Sequence, residues 1–139
     1  MNEYPRAAEW LYATLHGDSA LMAAVSGIYE HPAPQGSTYP VVTFQQQAEV
    51  DVEVIDANRV WAEFTILVRV IGQTASTASL KAAADRLDAL LHRVSGVTAD
   101  SQVISCVRTE VFHLAEEVNG VSYRHLGGLY SLLVQPLNP

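Results

Sequence analysis

Residues 118–136 read VNGVSYRHLGGLYSLLVQP, and how this stretch is read decides the fold. Asn119-Gly120 is the residue pair that best accepts the positive φ angles of a type I′ hairpin turn, so the strand from Val121 to Gln135 is the return arm of a hairpin. The outgoing arm is Gln102 to Glu117. Two adjacent glycines, Gly127 and Gly128, then interrupt the return strand, where each costs backbone entropy and leaves nothing to pack. They imply a bulge, a bend or a close backbone approach.

Working outward, the segment TASTASLKAAADRLDALLHRVSG before the hairpin carries Leu80, Ala83, Ala84, Leu87, Leu90, Leu91 and Val94 as an apolar stripe at helical spacing. Lys81 and Asp85 pair across one turn, and Ser95-Gly96 ends the helix. Upstream, Arg59 to Ile71 alternates strictly. Val60, Ala62, Phe64, Ile66, Val68 and Val70 form one apolar face, while Trp61, Glu63, Thr65, Leu67, Arg69 and Ile71 form a mixed one. Trp61, Leu67 and Ile71 lie either beneath a helix or against a neighbouring subunit. Before this strand, YPVVTFQQQ is β-branched and aromatic, and the acidic AEVDVEVIDAN reads as a loop separating the two strands.

At the amino end, Pro5, Ala7, Trp10, Leu11 and Leu15 predict a helix that Gly17 stops. Asp18 caps a second, short helix through Leu21 that Gly27 ends, and GIYEH reads as a short strand before the loop PAPQGST. The expected order is α, β, β, β, α, β, β, with the two short N-terminal helices taken together. That order is an α+β fold: an antiparallel sheet of about four or five strands packed with helices and closed by a long C-terminal hairpin. At 139 residues the chain is expected to form a single domain, 1–139.

A domain of this length has a radius of gyration near ~14 Å and a diameter of about 37 Å. A fifteen-residue strand spans roughly 50 Å. The hairpin therefore has to bend, project or both, and Tyr123, Arg124 and Tyr130 on its return arm are either an interface cluster or cross-strand pairs.

Composition narrows the function classes. Hydrophobic residues make up 49% and charged residues 17%, which is rich for a monomer with a fully polar surface. Net charge is −7, the wrong sign for gripping nucleic acid through its phosphates. Cys106 is the single cysteine, so no intrachain disulfide forms, and MNEYPRAAEW lacks the apolar segment of a signal peptide. The chain reads as intracellular in origin. No apolar run approaches the roughly 20 residues of a membrane span.

Chemistry finds no foothold. His113, Glu116 and Glu117 have metal-ligand character, yet residues four apart on a strand stand about 13 Å apart, too far for one ion. Cys106 sits in the alternating VISCVRTEV, where a thiol acts as a small hydrophobe. LGGL lacks the lysine and spacing of a phosphate loop and lies inside a strand. No catalytic, cofactor or metal site is expected.

The residues also carry a resemblance. WLYATLHGDSALMAAVSGIYEHPAPQGSTYPVVTF at 10–44, the helix SLKAAADRLDALL at 79–91 and the closing strand YRHLGGLYSLLVQ at 123–135 together resemble the tail terminator or tail completion proteins of long-tailed phages. The likeness spans almost the whole chain and rests on the order of weak signals. It implies a virion subunit in a homo-oligomeric ring, usually a hexamer, that caps the head-proximal end of the tail tube and halts its polymerisation. The partners so implied are the major tail tube protein and a head-tail connector, with DNA passing through the ring unbound. Within that picture Asp51, Glu53 and Asp56 are either lumen-facing acids that repel phosphates or an ordinary solvated loop. A head-closure subunit of the same neck, or a small-ligand-binding cytoplasmic domain, are the alternative readings.

Overall fold

The computed structural model describes residues 4–54, 57–98 and 100–136. Two helices open the chain, α1 (Tyr4–His16) and α2 (Ser19–Ala24), followed by β1 (Ile28–Glu30), β2 (Val41–Val54) and β3 (Ala57–Gly72). A 3-10 turn over Thr77–Leu80 leads into α3 (Lys81–Leu91), and β4 (Gly96–Val97), β5 (Ser101–Val118) and β6 (Val121–Pro136) complete it. The six strands form one curled sheet in the order β1-β2-β3-β6-β5-β4.

The α+β architecture with a long closing hairpin is present, and three details differ from the sequence expectation. The sheet has six strands, β4 being too short to show a period. It is mixed, because β1 runs parallel to β2, with Ile28 opposite Val42 and Glu30 opposite Phe44. The acidic stretch is no loop: β2 continues through it and returns as β3, with Asp51 opposite Ala62 and Glu53 opposite Arg59. Alternating valines at 50, 52 and 54 carry the strand through the acids, since β-branched residues suit a pleated ladder whatever their neighbours' charge.

Two long hairpins are thus laid side by side. β3 pairs with β6 from Ala62 opposite Val134 to Gly72 opposite Arg124, so the hairpin tips at 54–57 and 118–121 lie at opposite ends of the sheet. The second tip is tight. Val118 pairs with Val121, and Asn119 and Gly120 take φ of 51° and 78°.

All three helices cover one face. Ala62, Phe64, Ile66, Val68 and Val70 of β3 meet Leu11, Leu15, Leu21, Leu87 and Leu91 in a single core, most of it with no solvent exposure. Each leucine so buried contributes about 2 kcal/mol. The helices are also stapled to one another: Asp18 accepts the Leu21 N–H at 2.8 Å, capping α2, and accepts from Arg86 of α3 at 2.6 and 2.9 Å. These bonds hold the Asp18 carboxyl down to about 2 from an ordinary 3.8, the Arg86 hydrogen bond acting most and the Leu21 N–H next. A depressed carboxyl contributes stability above its unfolded value and loses it as pH falls through its folded one. Urea titrations of Asp18→Asn should therefore lose the part of the acid limb that the native chain shows between about pH 4 and pH 2.

Candidate assembly surface

The helices stop short of the sheet's ends. On β5, Ser101, Val103 and Cys106 are buried, but from Val107 onward every residue except the half-buried Phe112 is exposed. Among the described residues, β4 covers the outer edge of β5 only at Gln102 and Val103. Just beyond, the Arg93 N–H donates to the Cys106 carbonyl at 2.6 Å and His92 Nδ1 accepts from the Arg108 N–H at 3.0 Å, so the outer edge is open from Thr109 to Val118; Ile104, Val107, Val111, Leu114 and Val118 on and beside it are 37–67% exposed. β2 is open in the same way beyond Gln46: β1 ends opposite Phe44, and the Gln46 backbone bonds the Tyr4 hydroxyl. Val50 there is 59% exposed. Long apolar strands with unpaired edges are what soluble monomers avoid.

The glycine pair has its explanation here. The β3–β6 register runs unbroken through Gly127 and Gly128, and the extra residues sit instead on β5, at Ile104 and Thr109. The bulge is on the partner strand, so the glycines serve close approach. A Cβ on Gly127 would lie 2.1 Å from the Val68 carbonyl oxygen and 2.6 Å from the Arg69 Cα. On Gly128 it would meet the Glu110 carbonyl oxygen at 2.8 Å and the Arg108 side chain at 2.7 Å. Sheet curl needs both backbones this near.

The residues singled out in sequence separate into different environments. Trp61 is half-buried on the face opposite the helices. Leu67 and Ile71 share that face, away from the helices, and are 6% and 8% exposed within the single chain; the curl brings the loop at 31–33 and the β5–β6 tip round beneath Ile71. Tyr123 stands edge-on to Tyr39 at 5.5 Å and accepts from Gln73 Nε2 at 3.1 Å, tying the tip to the body. Arg124 is half-buried and donates to the Tyr123 carbonyl at 3.2 Å.

Tyr130 is no surface residue. It is 1% exposed beneath α3, where its hydroxyl donates to Asp88 Oδ1 at 2.8 Å, and Arg108 Nη1 approaches the same oxygen at 3.5 Å. Burial first, then Asp88, drives its pKa far upward. Tyr130→Phe should lower stability by about 1.5 kcal/mol, measured by urea unfolding, because Asp88 loses its neutral donor. Asp51 and Glu53 lie in the β2 ladder, and Asp56 falls outside the described residues. On the helix-free face the exposed acids among the described residues include Glu63, Glu110 and Glu116, which alternation along β3 and β5 places there.

Nucleophile and metal chemistry are poorly served. Burial, with Asp88 nearby, pushes the Cys106 thiol up to about 12, so it stays protonated at neutral pH. His113 and Glu116 alternate to opposite faces of β5, and Glu116 instead meets His125 Nε2 at 2.7 Å. Among the described residues no three His, Cys, Asp or Glu converge on a metal position, and no helix is long and apolar enough to cross a membrane.

The sequence model for tail completion protein gp17 matches residues 9–121, and the chain belongs to that family. It is a structural component of a phage tail. Among solved structures, a chain from the virion of a native gene transfer agent particle matches with 20% identity over 90% of this chain and 91% of that one, at a TM-score of 0.66. The gp17 protein of bacteriophage SPP1 matches with 19% identity over 96% and 91%, at a TM-score of 0.49. No curated protein sequence matches the chain.

Proposed function

We propose that the chain is a ring subunit that caps the head-proximal end of the tail tube, stops its growth and offers the surface to which the head is joined. What supports this most is the pair of open edges. The outer edge of β5, with its exposed valines, and the outer edge of β2 lie at opposite sides of one sheet. A contact that sets β5 of one copy against β2 of the next is heterologous, and such contacts close into a ring when the rotation between copies permits. Six copies is the number that the family resemblance implies.

The helix-free face would then line the bore. Glu63 and Glu110 on it, and a net charge of −7, repel DNA phosphates within a Debye length of about 10 Å, so the duplex slides through without being held. The protein acts by geometry, with no catalysis. Its partners in this reading are the tail tube protein below and the head connector above.

Negative-stain images of tails assembled with and without the protein test the proposal. Its absence should give overlong tails, or tails that fail to join heads, and purified protein should bind the ends of isolated tubes. Tails of normal length that join heads normally without it would exclude the terminator role. Binding to DNA-filled heads but not to tubes would assign the chain to head closure instead.

A further inference from the structure

Where the β5–β6 tip meets the body of the sheet, the histidine at 125 is shut in. His125 is 5% exposed, and its Nε2 lies 2.7 Å from the Glu116 carboxylate. A carboxylate only accepts, so Nε2 carries the ring's proton and Nδ1 is the bare nitrogen. Nδ1 is buried and has no partner. The neutral ring tolerates this at small cost, whereas a second proton would make Nδ1 a buried donor with nothing to receive it.

The charges around the ring come from three elements. Across the sheet His125 stands opposite Ile71 of β3 and Leu114 of β5, which makes Arg69 and Glu116 its diagonal neighbours on the same face. Arg69 is 9% exposed, bonds the neutral Thr43 and Gln45, and stands 3.5 Å from Nδ1 of His31, an exposed ring on the loop after β1. Tyr39 and Tyr123 complete the titratable lining of the cavity there. With His125 neutral, one cation and one carboxylate balance. A proton on His125 leaves a net positive charge, and Glu116, with 42% of its side chain exposed, is too solvated to offset it fully.

The hairpin can answer such a change locally. His125 and Glu116 both belong to it, whereas Arg69 belongs to the body. His125 also sits on the penultimate rung of the β3–β6 ladder, with Arg124 opposite Gly72 as the last. Beyond that rung the tip is tied down by Tyr123, edge-on to Tyr39 and bonded to Gln73. Segments held by so few buried contacts open at less cost than the core.

We propose that His125 is an acid-operated release for the β5–β6 tip: a proton at Nδ1 sets a second buried cation beside Arg69, and the tip lifts from the end of β3 so that water reaches the ring. Burial first, joined by Arg69 and His31, outweighs the Glu116 bond and holds the closed ring below its ordinary 6.5. A ring exposed by lifting regains that ordinary value and takes up its proton more readily. The closed tip is therefore at full stability above about pH 6.5 and loses it as pH falls toward the closed ring's lower value.

Two NMR measurements on the full-length chain test this release. The His125 ring should titrate with a lower midpoint in the folded chain than in the urea-unfolded one, its signal being identified by its absence from His125→Gln. Amide exchange, corrected for its intrinsic pH dependence, should show the open population of residues 116–123 rising roughly fivefold or more from pH 7 to pH 5, while amides of β3 between 62 and 68 keep their protection. In His125→Gln, which keeps a donor for Glu116 but does not titrate, the rise should be lost. A folded midpoint equal to or above the unfolded one would overturn the proposal. So would tip protection that does not change with pH, a loss of protection spread evenly over the sheet, or an undiminished rise in His125→Gln.

Discussion

Lysine at both Val107 and Val111 should leave the subunit folded and prevent its assembly. The two side chains are 37% and 67% exposed, and substitutions at such positions change stability by only about 0.5 kcal/mol. In a strand-to-strand contact the same positions become desolvated, and two unpaired ammonium groups at one edge weaken each contact by about 3 kcal/mol, or more than a hundredfold. Urea unfolding should show a midpoint close to the parent's. Light scattering and negative stain, on tube ends if the free protein does not close, should show that rings no longer form, and tails completed with the variant should overgrow. A double variant that still yields rings and tails of normal length would show that the β5 edge is not the contact.

The largest effect on the isolated chain should come from Gly127→Ala. Its new methyl group would meet backbone atoms on β3, the Val68 carbonyl and the Arg69 Cα, and backbone in the centre of a six-stranded sheet has nowhere to go. Overpacking of this kind costs about 3 kcal/mol, or roughly 10 °C in midpoint for a domain of this size. Gly128→Ala offers an internal comparison. There the nearest atom is the Arg108 Cδ, the flexible part of a side chain, although the Glu110 carbonyl is almost as near. Its cost should be about half as large, and thermal unfolding of the two variants checks the order. A smaller loss at 127 than at 128 would mean that β3 and β6 can separate locally, which the continuous ladder from Ala62 to Gly72 opposes.

What could be read from the sequence follows from the range of the forces involved. The stripe of α3, the alternation of β3 and the Asn119-Gly120 turn are local patterns, and the elements they predict are present. The β2–β3 hairpin was hidden because its tip, at 54–57, has no glycine or proline to mark it and the acids around it look like a solvated loop. The partnership of Tyr130 with Asp88 joins residues 42 apart, which no spacing rule reaches. Arg69 did leave a trace, as the one basic residue inside the apolar run Phe64 to Ile71. Period two placed it on the mixed face, but only the curl of the sheet shows that it is buried there.

The offset between the two hairpins has a consequence for how the chain can change. The segment near 49–54 marks one end of the β3–β6 ladder and the segment near 116–123 the other. Substitutions accumulated at one extremity therefore leave both the interior and the opposite extremity as they were. A protein that must fit two unlike neighbours gains from such a plan, because each fit can be retuned separately by altering a handful of residues far from the other.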